Sequence, residues 1–266
     1  MGNIAFIGSG RMASAMVAGL LRSNAYEPHQ IACIGGAGTT SLLLSQETGI
    51  RLASSAADVL MDADAVIVAC KPQQFAGLDR EYGIKSSGKL VISVLAGIRL
   101  EKLATFFPQA RAIVRTVPNT PGAIGKGVTV WSSATALSAK DYDVLSALLD
   151  GLGESLELPE EQLDAVTAIS GSGPGFFFEF LAAYEAAARH LGLPPQVVRQ
   201  LVRETFKGSL ALVESTGEKP ESLRDQVTSP NGTTRAGLDA LDKANLRDAI
   251  AAALIAARDR SRELSR

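Results

Sequence analysis

The sequence predicts an α/β protein: a Rossmann-type doubly wound sheet over residues 1–158, then an all-α domain over 159–266. Three observations carry this. Short β-branched runs alternate with helical stretches through the first part, a Gly-x-Gly-x-x-Ala turn joins the first strand to the first helix, and the β-rich runs stop after Pro159.

The predicted strands are 3–7, 30–34, 65–70, 89–95, 111–117 and 128–131. Continuous apolar runs such as Ala65-Val66-Ile67-Val68-Ala69 suit parallel strands covered on both faces. Three long helices are predicted over 161–191, 196–216 and 234–264, separated by Gly192-Leu193-Pro194-Pro195 and Gly217-Glu218-Lys219-Pro220. The run Phe176-Phe177-Phe178-Glu179-Phe180-Leu181-Ala182-Ala183-Tyr184 is apolar on nearly every face, and so is 249–257. A helix apolar all round must be covered all round. A symmetric dimer of interlocked helical domains is the preferred cover, with a central helix in a monomeric bundle as the alternative. Assembly of dimers into a larger homo-oligomer is left open.

Composition narrows the partners. The 266 residues are 46% hydrophobic and 20% charged, which excludes a disordered chain. With 26 Lys and Arg against 28 Asp and Glu, the net charge of −2 offers no bulk positive field, so neither nucleic acid nor a membrane surface is expected. Cys33 and Cys70 lie far apart in apolar runs and read as buried thiols of a reducing compartment, with no metal site. The opening apolar stretch, ended by Gly8, is too short for a secretory signal. Residues 249–257 fall well short of the ~20 needed to span a bilayer. A cytoplasmic protein is expected.

The turn Gly8-Ser9-Gly10-Arg11-Met12-Ala13 follows a strand and opens a helix, the context that gives a dinucleotide cradle its meaning. The first glycine permits the tight turn, the second lets backbone approach a pyrophosphate, and Ala13 lets the helix lie close on the sheet. An NAD-selective site places a carboxylate after the second strand, yet residues 28–46 contain no acidic residue. The turn Gly35-Gly36-Ala37-Gly38-Thr39-Thr40-Ser41 instead offers amides and hydroxyls to a 2′-phosphate. NADPH is therefore the expected donor, with NADH as a second one, because the same window also lacks Arg and Lys. Ligands of such sheets lie beyond the carboxyl ends of the strands. The expected cofactor set is Ile7, Gly8, Ser9, Gly10, Arg11, Met12, Ala69, Cys70, Lys71, Pro72, Ala96, Gly97 and Asn119.

Two Gly-rich, hydroxyl-rich segments, Ser170-Gly171-Ser172-Gly173-Pro174-Gly175 and Thr228-Ser229-Pro230-Asn231-Gly232-Thr233-Thr234, precede predicted helices. Plain N-capping explains one hydroxyl. The cluster of Ser229, Asn231, Gly232, Thr233 and Thr234 is better suited to cupping a small carboxylate.

The runs Asp164-Ala165-Val166-Thr167-Ala168-Ile169-Ser170-Gly171-Ser172-Gly173-Pro174 and Leu223-Arg224-Asp225-Gln226-Val227-Thr228-Ser229-Pro230-Asn231-Gly232-Thr233-Thr234, with Lys71-Pro72-Gln73 and Pro118-Asn119-Thr120-Pro121, strongly resemble the pyrroline-5-carboxylate reductases. The resemblance spans essentially the whole chain. It implies NAD(P)H-dependent reduction of 1-pyrroline-5-carboxylate to L-proline, on a nucleotide-binding domain joined to a helical dimerisation domain. It further implies that the Ser-Pro-x-Gly-x-Thr segment holds the substrate carboxylate and that Thr234, its last residue, hydrogen-bonds the ring nitrogen as the catalytic group. Val117 stands where methionine is common, and Gly122 and Gly175 where alanine is common; the turn 35–40 matches least well.

The chemistry fits what is missing. Reducing a C=N bond yields a basic amine, so no strong general acid is required, and the protein mainly supplies proximity. Ketone reduction recruits a His or Lys to protonate an alkoxide. Here His29 precedes the second strand, His190 ends a helix, and no lysine lies between Lys140 and Lys207. Two other readings stay open: a reductase of another cyclic imine or β-hydroxy acid, and a non-catalytic NADP-sensing protein.

Overall fold

The computed structural model describes residues 2–36 and 38–265. The chain forms two compact units, Met1–Pro174 with Ala256–Arg266, and Gly175–Ile255. In the first unit, β1 (Asn3–Ile7), β2 (Ile31–Ile34), β3 (Arg51–Leu52), β4 (Ala63–Val68), β5 (Leu90–Ser93), β6 (Ala112–Val117), β7 (Gly127–Ser133) and β8 (Gly153–Glu157) make one sheet, ordered β3-β2-β1-β4-β5-β6-β7-β8. From β1 to β6 every neighbouring pair is parallel; β7 runs antiparallel to β6, and β8 parallel to β7.

Alternation along the strands builds two cores. Ile4, Phe6, Ala65, Ile67, Leu90 and Ile92 face one layer, while Ala5, Ile7, Val66, Val68 and Val91 face the other. Residues of α1 (Arg11–Arg22) and α7 (Ala139–Asp150) fill the first layer, and residues of α3 (Ala56–Leu60) and α6 (Leu100–Phe106) the second. Strands covered on both faces need no polar alternation. That is why the six expected strands are all present, shifted by one or two residues at their ends. The sequence reading lacks β3, which has two residues, and β8, whose Gly-Glu-Ser-Leu-Glu lies at the sheet edge with four of five residues exposed. An exposed edge strand leaves no apolar run to detect.

At the amino edge of this sheet, Asp64 of β4 accepts from Arg111 Nη1 (3.1 Å) and Lys140 Nζ (2.9 Å), and Arg111 also pairs with the buried Asp141 at 2.7 Å. Burial would raise the Asp64 carboxyl, but hydrogen bonds and charge from Lys140 and Arg111 outweigh it and hold it below the usual range. The same carboxylate adds to burial in pushing the Tyr26 phenol up to about 12. A depressed carboxyl stabilises the fold above its unfolded pKa of ~3.9 and loses that contribution as pH falls through the folded value. Asp64→Asn is therefore expected to cost about 1 kcal/mol near neutral pH and progressively less below pH ~4. Urea unfolding across pH 2–7 checks this.

The second unit is helical. It holds residues of α9 (Gly173–Ala188), α10 (Pro195–Thr216), α11 (Pro220–Gln226), α12 (Thr233–Lys243) and α13 (Leu246–Leu264). Phe180, Tyr184 and Phe206 cluster with ring centroids 5.0–6.0 Å apart. No residue of α9 is buried, and Phe176, Phe177, Phe178, Ile250 and Ile255 are exposed. A central helix in a monomeric bundle is therefore ruled out, and the apolar faces are left for other cover.

The predicted helices are also more broken than expected. Residues 161–191 pass through a 3-10 turn, the short α8 (Leu163–Val166) and a π turn at Thr167–Gly171 before α9. Residues 234–264 divide at Asn245, whose φ of 55° ends α12. Asparagine tolerates this left-handed conformation, so a locally strong helical pattern hides the break. The added α11 begins on Pro220, a residue suited to the first helical position. No helix among the described residues is long and apolar enough to cross a membrane.

Candidate functional site

A cleft of about 660 Å³ opens at the carboxyl ends of β1, β2 and β4. It gathers Ile7, Gly8, Ser9, Gly10, Ala69, Cys70 and Lys71 from the expected cofactor set, with Gly35, Gly36, Gly38 and Thr40 from the turn after β2. Arg11 lines an adjoining hollow of about 520 Å³ with Ser9, Gly10 and Thr40. Met12 packs against the core. Pro72, Ala96, Gly97 and Asn119 lie outside the cleft's lining. Ala96 and Gly97 follow β5, and Asn119 follows β6, at the same edge of the sheet. The Asn119 side-chain oxygen accepts from Val128 N at 3.0 Å, which leaves its NH₂ as the group a ligand can use.

The two glycines of the first turn have different tasks. Gly8 adopts φ 109°, and a Cβ there would come within 2.5 Å of the Ala69 and Cys70 backbone. Gly10 meets nothing within 4 Å at its Cβ position, and it N-caps α1 without any side-chain cap bond. Its Cα therefore borders open space at a helix N-terminus, the arrangement that receives a phosphate group. The residues present fit a bound dinucleotide.

Ser9 and Thr40 hydroxyls lie 2.9 Å apart, tying this turn to α2 (Thr40–Thr48), which also lacks a side-chain cap bond. Of the three hydroxyls expected to receive a 2′-phosphate, Thr40 lines the cleft. Thr39 is exposed but outside the lining, and Ser41 is buried beside Gly35. Ala37, in the middle of the turn, lies outside the described residues.

Sequence reading missed Gln74, Leu78, Asp79 and Tyr82, which complete the cleft from the segment after Lys71. Their position just beyond the Lys71-Pro72 strand end is the one signal that points to them. Burial pushes the Cys70 thiol up, and burial followed by the charges of Asp79 and Glu81 pushes the Tyr82 phenol up. Of the two thiols expected to be buried, Cys33 is, whereas Cys70 is only half-buried and lines the cleft.

In the helical unit, the segment after α11 turns sharply. Gly232 N donates to Ser229 O at 3.0 Å, and Asn231 adopts φ 60°. Gly232 then N-caps α12 without a side-chain cap bond. Ser229, Asn231, Thr233 and Thr234 are exposed, and among the described residues their side chains make no hydrogen bond within the chain. No side chain of this cluster caps α12, which leaves the amides of its first turn free to bind an anion. The other segment, 170–175, is the helix entrance expected of it: Ser170 and Gly171 end the π turn, with Ser170 Oγ donating to Val166 O at 3.1 Å, and Gly173, Pro174 and Gly175 open α9. His29 and His190 are both exposed, the former preceding β2 at the amino edge.

Comparison with known proteins agrees with this geometry. Residues 160–264 match the family model "Pyrroline-5-carboxylate reductase dimerisation", and residues 3–97 match "NADP oxidoreductase coenzyme F420-dependent". Pyrroline-5-carboxylate reductase 2 of Bacillus subtilis is 36% identical over 94% of this chain and 90% of its own length. A pyrroline-5-carboxylate reductase structure from Coxiella burnetii superposes with a TM-score of 0.88 at 30% identity, covering 100% of this chain and 99% of the other. The Plasmodium falciparum pyrroline carboxylate reductase, solved with NADP bound, gives 0.90 at 26% identity, covering 100% and 98%. The chain belongs to the pyrroline-5-carboxylate reductase family.

Proposed function

We propose that this chain reduces 1-pyrroline-5-carboxylate to L-proline with NADPH as donor and NADH as a second donor. The observation that carries the reading is the cluster at 229–234, whose side chains make no hydrogen bond within the chain among the described residues, in a chain whose other unit holds a dinucleotide cleft. Residues 1–158 bind the nucleotide and residues 159–266 bind substrate and dimerise. The nucleotide supplies a hydride when bound.

The protein's own work is binding and orientation. Gly8, Ser9, Gly10 and the N-terminal amides of α1 take the pyrophosphate, and Arg11 and Met12 contribute backbone there. Ile7, Ala69, Cys70, Lys71 and Pro72 wall the cleft; Ala96, Gly97 and the Asn119 NH₂ flank the nicotinamide end. Ser229, Asn231, Gly232 and Thr233 hold the substrate carboxylate, while the Thr234 hydroxyl binds the ring nitrogen. The hydride goes to the ring carbon and a proton from solvent water to the ring nitrogen; because that nitrogen is basic, a hydroxyl that orients it and relays this proton suffices.

The exposed apolar faces of α9 and α13 support a homodimer, with rings of dimers as the larger assembly. Both cysteines are free thiols, which supports a reducing cytoplasmic setting. The test is NADPH absorbance at 340 nm with pyrroline-5-carboxylate added. Substrate-dependent oxidation is expected. NADPH binding without oxidation would favour the NADP-sensing reading instead, and turnover only with another imine would reassign the substrate.

A further inference from the structure

We propose that Asp164 and Ser261 are positioning residues that fix the loop 95–100, and with it the nicotinamide end of the cofactor site. The inference rests on the reading above that Ala96 and Gly97 face the coenzyme. Ser261 is the one buried residue of α13, and its hydroxyl donates to Asp164 Oδ1 at 2.7 Å across 97 positions of sequence. Asp164 is itself buried; its Oδ2 accepts from Arg99 Nη2 at 3.3 Å, and Ser265 Oγ lies 3.3 Å from its Oδ1. Arg99 is the residue that opens α6, and the next amide, Leu100 N, donates to Glu160 Oε1 at 2.8 Å. The same Glu160 oxygen takes the buried Arg115 at 2.9 Å.

Two carboxylates one helical turn apart thus hold consecutive residues at the end of the loop. At its middle, the last turn of α13 closes on Gly97. That residue has φ 75°, and a Cβ there would lie 3.0 Å from the Leu264 carbonyl oxygen. Docking alone would be served by an apolar anchor, because burying a charge carries a desolvation cost. A charge-assisted hydrogen bond adds defined direction and length. Placed beside a loop that borders the reacting end of a coenzyme, such geometry matters, because displacement of about 1 Å can cost as much as ~100-fold in rate.

The test uses full-length Ser261→Ala and Asp164→Asn, with Ala96→Val as a control on the loop itself. In cofactor-free protein, Ser261→Ala is expected to speed deuterium exchange of the amides of residues 97–103 by about tenfold while the β1 and β4 amides keep wild-type protection. With cofactor, kcat is expected to fall roughly five- to tenfold with the KM for pyrroline-5-carboxylate within about twofold, and the isotope effect from 4-deuterated NADPH to rise. A merely structural loss lowers the active fraction and leaves the isotope effect unmoved. Asp164→Asn shows the same pattern more strongly. Wild-type exchange at 97–103, or a lower kcat with an unchanged isotope effect, overturns the proposal. If Ala96→Val slows turnover while Ser261→Ala does not, the proposal fails alone. If Ala96→Val leaves turnover and NADPH affinity at wild-type values, the reading of the loop fails and takes the proposal with it.

Discussion

Gly10→Val yields a folded protein that no longer holds NADPH. The Cβ position of Gly10 is open to 4 Å, and its φ of −76° and ψ of −178° are extended backbone that valine adopts without strain. Nothing within the chain opposes the new side chain, so the thermal midpoint is expected to stay within a few degrees of wild type. The space it fills is the space at the N-terminus of α1 where a pyrophosphate approaches the backbone. Excluding the pyrophosphate removes its charge-assisted hydrogen bonds to the first-turn amides. The dissociation constant for NADPH is expected to rise roughly 100-fold, about 2.7 kcal/mol, read by nucleotide fluorescence titration. Gly8→Ala behaves differently, because its side chain would collide with the backbone of Ala69 and Cys70. That variant loses stability before it loses affinity. Retained NADPH affinity in Gly10→Val would contradict the cradle.

The contrast between these glycines shows what a sequence carries. The Gly-x-Gly-x-x-Ala turn is legible because its chemistry is local: six consecutive residues between a strand and a helix define it. β1, β4 and β5 are legible because burial on both faces writes apolar runs, and β6 because its apolar residues outnumber the buried Arg115 and Thr116 that interrupt it. β8 writes none, since it lies exposed at the sheet edge, and the break at Asn245 is one residue inside a strong helical pattern. Gln74, Asp79 and Tyr82 reach the cleft only through the course of the chain after Lys71, which no periodicity encodes. The bond between Ser261 and Asp164 joins positions 97 apart, and neither residue announces it. The hydroxyl cluster at 229–234 stands between these cases. Its composition is legible, but the structure adds that not even one of its hydroxyls is spent on capping, because Gly232 takes the N-cap position of α12 and, among the described residues, the side chains of Ser229, Asn231, Thr233 and Thr234 make no hydrogen bond within the chain.

Thr234→Ala should lower kcat tenfold or more, at least about 1.4 kcal/mol in the barrier, with NADPH affinity unchanged. Thr234 is the second residue of α12, exposed, with no side-chain hydrogen bond to the rest of the chain among the described residues. Alanine has the higher helix propensity, so the substitution costs the fold nothing and any loss belongs to chemistry. The nucleotide cleft lies in the other unit and contains no atom of this side chain. As the ring nitrogen passes from imine to amine its basicity rises, so a hydroxyl bonded to it stabilises the transition state more than the ground state. Such an interaction, once lost, appears in kcat more than in KM. Thr234→Ser keeps the hydroxyl and is expected to restore most of the rate. Steady-state kinetics on both variants decide the matter: a kcat for Thr234→Ala equal to wild type, or a serine variant no better than the alanine one, would remove this hydroxyl from the mechanism.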